Sequence, residues 1–293
     1  MQGVRRELGQ LADLDHVGRG SHVCYVADSP ARLAEWTAAC MAGGAELGEK
    51  LVKFVPQIDT ARRDEVMIGA ARATTVDPRV AFLGGGGLEE GAMLAAFREM
   101  AAAARREGYR GLRVFADMDW LLPAPPGRER LTAFEQLLDR VVTDLEATVV
   151  CAYRADSFAP ETLAEVAAVH PATAGTVPVE PGFRCWNVAD GVWELAGEVD
   201  YLTVELFTRV LRTAAEGASV LYLTVTDLSF IDVAGMRAIA QLAADRPDLE
   251  LVIDGAGELL SECWALLDLG RRLDRVRLRP SPGVPAARAG GER

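Results

Sequence analysis

Short apolar runs alternate with longer helix-like segments before residue 171, and this alternation restricts the fold more than any other feature of the sequence. The apolar runs predict strands at 22–27, 51–55, 80–83, 112–116 and 148–153. The segments between them predict helices at 31–47, 89–106, 130–146 and 160–169. Strands that are apolar along their whole length are typical of a parallel sheet with helices on both faces. The sequence therefore predicts an α/β fold for this region.

The segment 171–182 has three prolines and two glycines and shows neither helical nor strand periodicity. A chain of 293 residues is long for a single core, so two domains are expected. We predict a first domain at 1–171, a linker at 172–182, a second domain at 183–280 and a disordered tail at 281–293.

The pattern changes after the predicted linker. Two apolar runs, 183–188 and 192–196, are separated by Ala-Asp-Gly, which predicts a β-hairpin. The elements predicted after it are a helix at 201–216, a strand at 219–226, a helix at 233–244, a strand at 249–253, a helix at 261–269 and an edge strand at 275–278. A hairpin followed by βα units predicts a mixed sheet with helices.

Net charge and hydropathy argue against two classes of partner, nucleic acids and membranes. The formal net charge is -12, which argues against direct nucleic-acid binding because phosphate contacts need clustered Lys and Arg. No apolar run approaches the roughly 18 residues that would span a bilayer, so no membrane interaction is expected. The N-terminus lacks the apolar core of a signal peptide, which predicts a cytoplasmic location.

Cysteine and histidine offer little for catalysis. The five cysteines are widely spaced without a Cys-x-x-Cys, which favours reduced thiols. His22 and Cys24 alternate with Val23 and would face one side of their strand, but two ligands do not make a metal site. We interpret them as a hydrogen-bonded core histidine and a buried thiol, and expect neither metal nor cofactor. The sequence has only three histidines and no evident Ser-His-Asp arrangement, so a catalytic triad is not indicated and no enzyme is expected.

A phosphate-binding loop is missing from the position where a P-loop would lie. Residues 28–33 read DSPARL, with neither the glycines nor the lysine that cradle a triphosphate. ATP hydrolysis is therefore not expected.

The most informative stretch is 226–239, TDLSFIDVAGMRAI. Asp232 is placed to cap the following helix, and Gly235 allows its first turn to lie close to a neighbour. The helix N-terminus suits an anion. For a bare D-x-x-G, an ordinary strand-to-helix turn with an Asp cap would be the better explanation.

The whole constellation resembles the STAS signature D-L-S/T-F-h-D-S-S/x-G, where h is apolar. The turn 197–200, GEVD, and the strand 249–255, LELVIDG, also stand where STAS domains carry such segments. This resemblance to anti-sigma-factor antagonists implies docking on an anti-sigma factor that is also a serine kinase, or on a related regulator. The partner-binding loop that it implies consists of Asp227, Ser229, Asp232, Val233, Ala234 and Gly235.

One position departs from that family. In the antagonists, the kinase phosphorylates a serine directly after the motif aspartate, and the phosphate blocks docking. Here that position is Val233, followed by Ala234, and neither carries a hydroxyl. Ser229 and Thr226 offer hydroxyls nearby, although turn or capping hydrogen bonds explain them better. We expect regulation to act through the first domain instead.

Candidate ligand-binding residues follow two predicted strands of the first domain. Asp117 and Trp120 lie just past the carboxyl end of one strand, and Tyr153 ends another. Ligands bind at this edge in open α/β sheets. His22 and Cys24 complete the candidate set.

Several segments of the first domain are similar to the MEDS domain, a sensory module of methanogen and methylotroph regulators. They are 20–24 (GSHVC), 108–114 (GYRGLRV), 117–120 (DMDW), 150–153 (VCAY) and 169–171 (VHP). The resemblance implies a RecA-like parallel sheet without a P-loop, and sensing of a small molecule such as a hydrocarbon derivative. Family members usually carry Glu where Asp117 stands, a departure that would alter ligand contacts.

These features together predict a signalling regulator. The first domain would sense a small molecule, and the STAS-like domain would bind an anti-sigma factor or related regulator. Two alternatives stay open: an enzyme acting in the N-terminal pocket, and a structural adaptor that senses nothing.

Overall fold

The chain folds into two compact units, Met1–Pro181 and Gly182–Arg293. The computed structural model describes residues 6–14, 17–55, 65–68, 71–84, 87–123 and 125–281. The predicted tail, 281–293, lies outside these residues except for Ser281. Ser281 continues the last strand's contacts, since its N–H donates to the carbonyl of Ala256.

The first unit alternates strands and helices along the chain. Its strands are β1 (Gly9–Gln10), β2 (His22–Ala27), β3 (Glu49–Phe54), β4 (Glu65–Ile68), β5 (Ala71–Val76), β6 (Leu83–Gly84), β7 (Gly87–Leu88), β8 (Gly111–Asp117), β9 (Thr148–Arg154) and β10 (Ala172–Gly175). Its helices are α1 (Pro30–Glu46), α2 (Pro78–Phe82), α3 (Glu90–Arg106), α4 (Arg128–Leu145) and α5 (Pro160–Ala168), with a 3-10 turn at Met118–Leu121.

The main sheet of this unit has the order β1-β10-β2-β9-β8-β3-β5-β4. Neighbouring strands are parallel except β4 and β5, which are antiparallel. Helices α3, α4 and α5 cover one face and α1 covers the other. The predicted parallel α/β architecture is therefore confirmed, and the apolar sequences of β2, β8 and β9 follow from burial on both faces.

The strand predicted at 80–83 is wrong, because Pro78–Phe82 is a helix. A short apolar run looks the same in a buried helix as in a buried strand, and Pro78 favours a first helical turn. The strands of this region are β4 and β5, which the sequence did not reveal. β5 reads ARATTV, and near the sheet's edge it needs no continuous apolar run.

The predicted linker, 172–182, also needs correction, because it begins with β10. This strand pairs with both β1 and β2. Its sequence, ATAG, gives no strand signal because all four residues are small. Small side chains allow the neighbouring strand to lie close, and the hydrogen bonds of the sheet come from the backbone. At Gly175, φ is 132° and a Cβ would lie 2.1 Å from the carbonyl oxygen of Val26. Val177 and Val179 then lie against the core of the first unit.

The second unit is a mixed sheet with helices, as predicted. Its elements are β11 (Phe183–Ala189), β12 (Val192–Val199), α6 (Val204–Ala214), β13 (Val220–Thr224), β14 (Leu228–Ile231), α7 (Val233–Asp245), β15 (Glu250–Ala256), α8 (Glu258–Leu266), α9 (Leu269–Arg272) and β16 (Val276–Pro280). β11 and β12 form the predicted antiparallel hairpin. The sheet order is β11-β12-β13-β15-β16, with parallel pairs after the hairpin.

Strand β14 was not predicted, since its residues were interpreted as a loop. It pairs in parallel with the end of β12, beyond the part of β12 that pairs with β13. Its sequence, LSFI, has only four residues, which is too short for a period of two to be distinguished from a loop. The pairing matters because it fixes the strand-to-helix corner that follows.

Candidate functional sites

The corner in the second unit is built by two parallel strands that end side by side. Val199 of β12 pairs with Ile231 of β14, and the N–H of Asp232 donates to the carbonyl of Val199 over 2.9 Å. The chain therefore leaves both strands at the same edge of the sheet, through Asp200 and Asp232. We call residues 200–202 and 227–235 the corner surface.

Each of these two aspartates holds the start of a helix. Oδ1 of Asp232 accepts from the N–H of Gly235 over 2.9 Å, which is the predicted cap of α7. Oδ1 of Asp200 accepts from the N–H groups of Leu202 and Thr203, over 3.0 and 3.1 Å. The Asp232 cap satisfies an N–H group that α7 leaves without an internal partner, whereas Asp200 holds the turn that precedes α6.

Gly235 lets α7 approach the sheet closely, as its position in the motif predicted. A Cβ there would lie 2.7 Å from a side-chain carbon of Ile231 and 2.8 Å from one of Val199. Both neighbours are buried, branched side chains without room to turn away. The corner is thus held rigidly against the strands that form it.

The corner surface combines exposed apolar side chains with acidic ones. Val233 is 44 % exposed, and Tyr201, Leu202 and Phe230 are exposed as well. Asp227 and Ser229 are exposed, Asp232 and Ala234 are half-buried, and Gly235 is buried. Ser229 already uses its hydroxyl to donate to the carbonyl of Gly197, over 2.9 Å.

In the first unit, Asp117 is the last residue of β8, and Trp120 lies in the 3-10 turn just past the carboxyl end of this strand. Oδ1 of Asp117 accepts from the N–H of Asp119 over 3.1 Å, and Oδ2 of Asp119 lies 3.2 Å from Nε of Arg154. Burial raises the pKa of both carboxyl groups. We call Asp117, Asp119, Trp120 and Arg154 the strand-end cluster.

Two buried polar atoms of the strand-end cluster lack partners. Trp120 is buried, with its ring 6.0 Å from that of Phe82. Among the described residues, neither its indole N–H nor Oδ1 of Asp119 has a hydrogen-bond partner. Such groups are costly to leave unsatisfied, so a donor and an acceptor here are suited to a bound molecule.

The other predicted ligand residues lie elsewhere on the sheet. His22, Cys24 and Tyr153 are fully buried on the sheet face that α4 and α5 cover. The hydroxyl of Tyr153 donates to Oε1 of Glu135 on α4. The five candidates therefore do not converge on one pocket: Asp117 and Trp120 belong to the strand-end cluster, whereas His22 and Tyr153 belong to a buried polar network.

That network brings together four groups that we call the histidine cluster: His22, Glu135, Cys151 and His170. Each offers a nitrogen, oxygen or sulfur atom, and all four atoms lie within 4.8 Å of one another. Oε2 of Glu135 is 3.4 Å from Nε2 of His22, 3.4 Å from Sγ of Cys151 and 3.6 Å from Nε2 of His170. Sγ of Cys151 is 3.5 Å from Nε2 of His22.

Burial and the two carboxylates set the charge of this network. Burial opposes charge on His22, but its bonds to Asp139 and Glu135 outweigh burial and raise its pKa. Burial and the neighbouring His22 lower the pKa of His170 to about 3, so this ring is neutral. Burial raises the pKa of the Cys151 thiol well above its usual range.

The sequence did not reveal the partners of His22. Glu135 and Asp139 stand four residues apart on the buried side of α4, and acidic residues there are a weak signal for a buried site. His170 entered the sequence analysis only within the segment 169–171, as part of the family resemblance. Cys24, grouped with His22 from the sequence, shares its sheet face but is not one of the four converging groups.

Each of the two units is matched by the model of a known domain family. The family model MEDS, the MEthanogen/methylotroph, DcmR Sensory domain, matches residues 21–171. This is more than half of the chain, which therefore belongs to the MEDS family. The STAS domain model matches residues 187–272. No curated protein was found to match the chain.

Both families serve regulation and signalling rather than catalysis. A STAS domain implies protein–protein interaction with regulators. Within the described part of the chain, no helix combines the length and apolar character that crossing a bilayer requires.

Proposed function

We propose that this protein is a signalling regulator of the anti-sigma-factor-antagonist type. Its first unit senses a small molecule, and its second unit binds an anti-sigma factor or a related regulator through the corner surface. The observation that carries the proposal is the exposure of apolar Val233 and Phe230 on a corner held in place by the Asp232 cap, the Asp200 turn and Gly235. Rigid, exposed apolar groups favour docking because little ordering is needed on binding.

Docking at this corner does not depend on a phosphate at the usual position. Val233 stands at the exposed start of α7, where a phosphorylated serine would add charge to the docking face. A valine keeps that face apolar under all conditions. Control of docking then falls to the first unit.

The strand-end cluster supports a sensory role. The free indole N–H of Trp120 suits an acceptor atom of a ligand, and Oδ1 of Asp119 suits a donor. Both lie at the sheet edge where parallel α/β folds bind ligands. A small molecule with a polar end and an apolar body would fit groups of this chemistry.

A pull-down tests the docking surface. Val233→Asp places a carboxylate on the corner and, at a helix N-terminus, is expected to leave the fold intact. It is preferable to Asp232→Arg, which would also remove the cap of α7. The matched control is Leu266→Asp on α8, where Leu266 is 84 % exposed.

We expect the unaltered chain and Leu266→Asp to retain an anti-sigma factor, serine kinase or related regulator, identified by mass spectrometry. Val233→Asp should weaken its binding at least about tenfold, as expected for a charge buried in an interface. Equal retention by all three chains would show that the corner surface is not the docking site.

Ligand binding is tested at Trp120 by titrating candidate metabolites into the whole protein. Trp120→Phe keeps an aromatic ring but removes the indole N–H, and should weaken binding about three- to tenfold, the value of one hydrogen bond. Trp36→Phe, on α1 at the opposite face, is the control. A ligand that leaves partner affinity unchanged at saturation would refute coupling between the units.

A further inference from the structure

The histidine cluster is assembled from four separate parts of the first unit. His22 comes from β2, Glu135 from α4, Cys151 from β9, and His170 from the segment after α5. All four side chains are fully buried. Four potential metal ligands that meet in the interior from distant parts of the chain do not result from local sequence alone.

The spacing of the four donor atoms suits one small ion. Of the six separations among the four donor atoms, four are 3.4, 3.4, 3.5 and 3.6 Å. Bonds of about 2.0 to 2.3 Å, as zinc makes to nitrogen, oxygen and sulfur, give a tetrahedron with edges of about 3.3 to 3.7 Å. Four of the six edges fall in this range, and the two that join His170 to His22 and to Cys151 are within 4.8 Å.

Each ligand is also oriented by a second group. Nδ1 of His170 lies 2.7 Å from the carbonyl oxygen of Val166, which can only accept, so this nitrogen carries the proton. The lone pair of the neutral ring is then on Nε2, which faces Glu135. His22 is arranged likewise, since its Nδ1 lies 3.2 Å from Oδ1 of Asp139. Metal-binding histidines are typically held by such bonds from the other ring nitrogen.

Glu135 completes the pattern. Its Oε1 accepts from the hydroxyl of Tyr153, which leaves Oε2 directed at the other three groups. A buried carboxylate is costly unless a cation or several donors compensate it. Asp139 is paired with Arg6, so an ion at the cluster would compensate Glu135 in the same way.

We propose that His22, Glu135, Cys151 and His170 bind a zinc ion. Mixed nitrogen, sulfur and carboxylate ligands are typical of zinc, and four protein ligands make a closed, structural site rather than a catalytic one. The ion would join β2 and β9 to α4 and to the segment after α5. On binding, the two imidazole rings, whose centroids are 3.9 Å apart, separate because ligands of one tetrahedral ion point away from each other.

A metal-free network is the competing explanation. A protonated His22 would then donate to both Asp139 and Glu135. That arrangement gives no role to Cys151 as a thiolate, so the sulfur distinguishes the two explanations.

The test is metal loading of the whole chain during refolding, since a fully buried site loads as it forms. Protein unfolded with a chelator is refolded with Zn²⁺ or Co²⁺, desalted and measured by plasma mass spectrometry. We expect one ion per chain, and with Co²⁺ the visible bands of tetrahedral coordination with a thiolate-to-cobalt band in the ultraviolet.

Two serine variants identify the sulfur ligand. Cys151→Ser should lose the thiolate band and most of the metal. Cys24→Ser, its register partner on β2 and equally buried, should keep both. If Cys151→Ser does not fold, the metal content and cobalt spectrum of the unaltered chain decide the question. Absence of retained metal in that chain, or equal loss in both variants, would overturn the assignment.

Discussion

Among single residues, Asp117 holds a carboxylate at the end of β8 where burial works against its charge. Burial raises its pKa, although the N–H of Asp119 and the positive charges of Lys53 and Arg154 act in the opposite direction. A carboxyl group that is easier to protonate when folded costs folding energy once it is ionised. Perturbed groups of this kind cluster at functional sites.

This cost predicts the effect of Asp117→Asn. The amide keeps an acceptor for the N–H of Asp119 but has no charge to bury. Below the ordinary aspartate pKa, about 3.9, both chains are neutral at this position and should differ little in unfolding free energy. As the pH rises through the raised pKa, the variant should become the more stable chain. Urea unfolding between pH 3 and pH 7 measures the difference, and a gap that does not vary with pH would contradict the prediction.

At the scale of elements, helix α1 shows how one buried charged side chain restricts the residues that can pack beside it. The guanidinium of Arg113, on β8, lies inside the unit, with Nε 2.6 Å from Oε2 of Glu49 and Nη2 2.6 Å from the carbonyl of Val17. Gly44 faces it from α1, and a Cβ there would lie 2.5 Å from Cδ of Arg113. Glycine is unfavourable inside a helix, but the Arg113 side chain already occupies the space that a side chain at position 44 would need.

Two glycine replacements should therefore have opposite effects. Gly44→Ala forces the Arg113 side chain aside and should destabilise the first unit by about 1–3 kcal/mol, as overpacking does. Gly91→Ala, at an exposed position of α3 with nothing within 4 Å of the added carbon, should stabilise it by up to about 1 kcal/mol. Chemical denaturation of both variants provides the measurement. Stabilisation by Gly44→Ala would show that the space beside Arg113 is not restrictive.

The elements also show what sequence can reveal. β2, β8 and β9 were predictable because burial on both faces makes them mostly apolar, and the corner because its aspartate cap and glycine are local signals. β5 and β10 were not, since one lies near an edge and the other is made of small residues. The histidine cluster depends on which side chains α4 and the segment after α5 place over β2 and β9, which is tertiary information.

At the scale of the whole molecule, each unit has its own sheet, and the hydrophobic core clusters of the first unit are formed within Met1–Pro181. Units that bury their apolar surface independently unfold independently unless their contact is strong. The segment after β10 stays attached to the first core through Val177 and Val179. We place the separation between the units after these residues.

Calorimetry of the intact chain should show two unfolding transitions. If zinc is bound as proposed, only the transition of the first unit should move to higher temperature. At a free zinc concentration of a hundred times the dissociation constant, the free energy of unfolding of this unit should rise by about 2.7 kcal/mol. A separately produced 182–281 should melt at the temperature of the unshifted transition. A single transition with equal calorimetric and van't Hoff enthalpies would mean that the units unfold as one.

Val233 also determines how quickly the proposed signal can end. A phosphoserine must be removed by a phosphatase, so the marked state outlasts the stimulus that produced it. The valine at the start of α7 has no hydroxyl group, so no phosphate remains at this position after the stimulus ends. If the first unit controls docking as proposed, this control lasts only while its ligand is bound, and the protein resets at the rate at which that ligand dissociates.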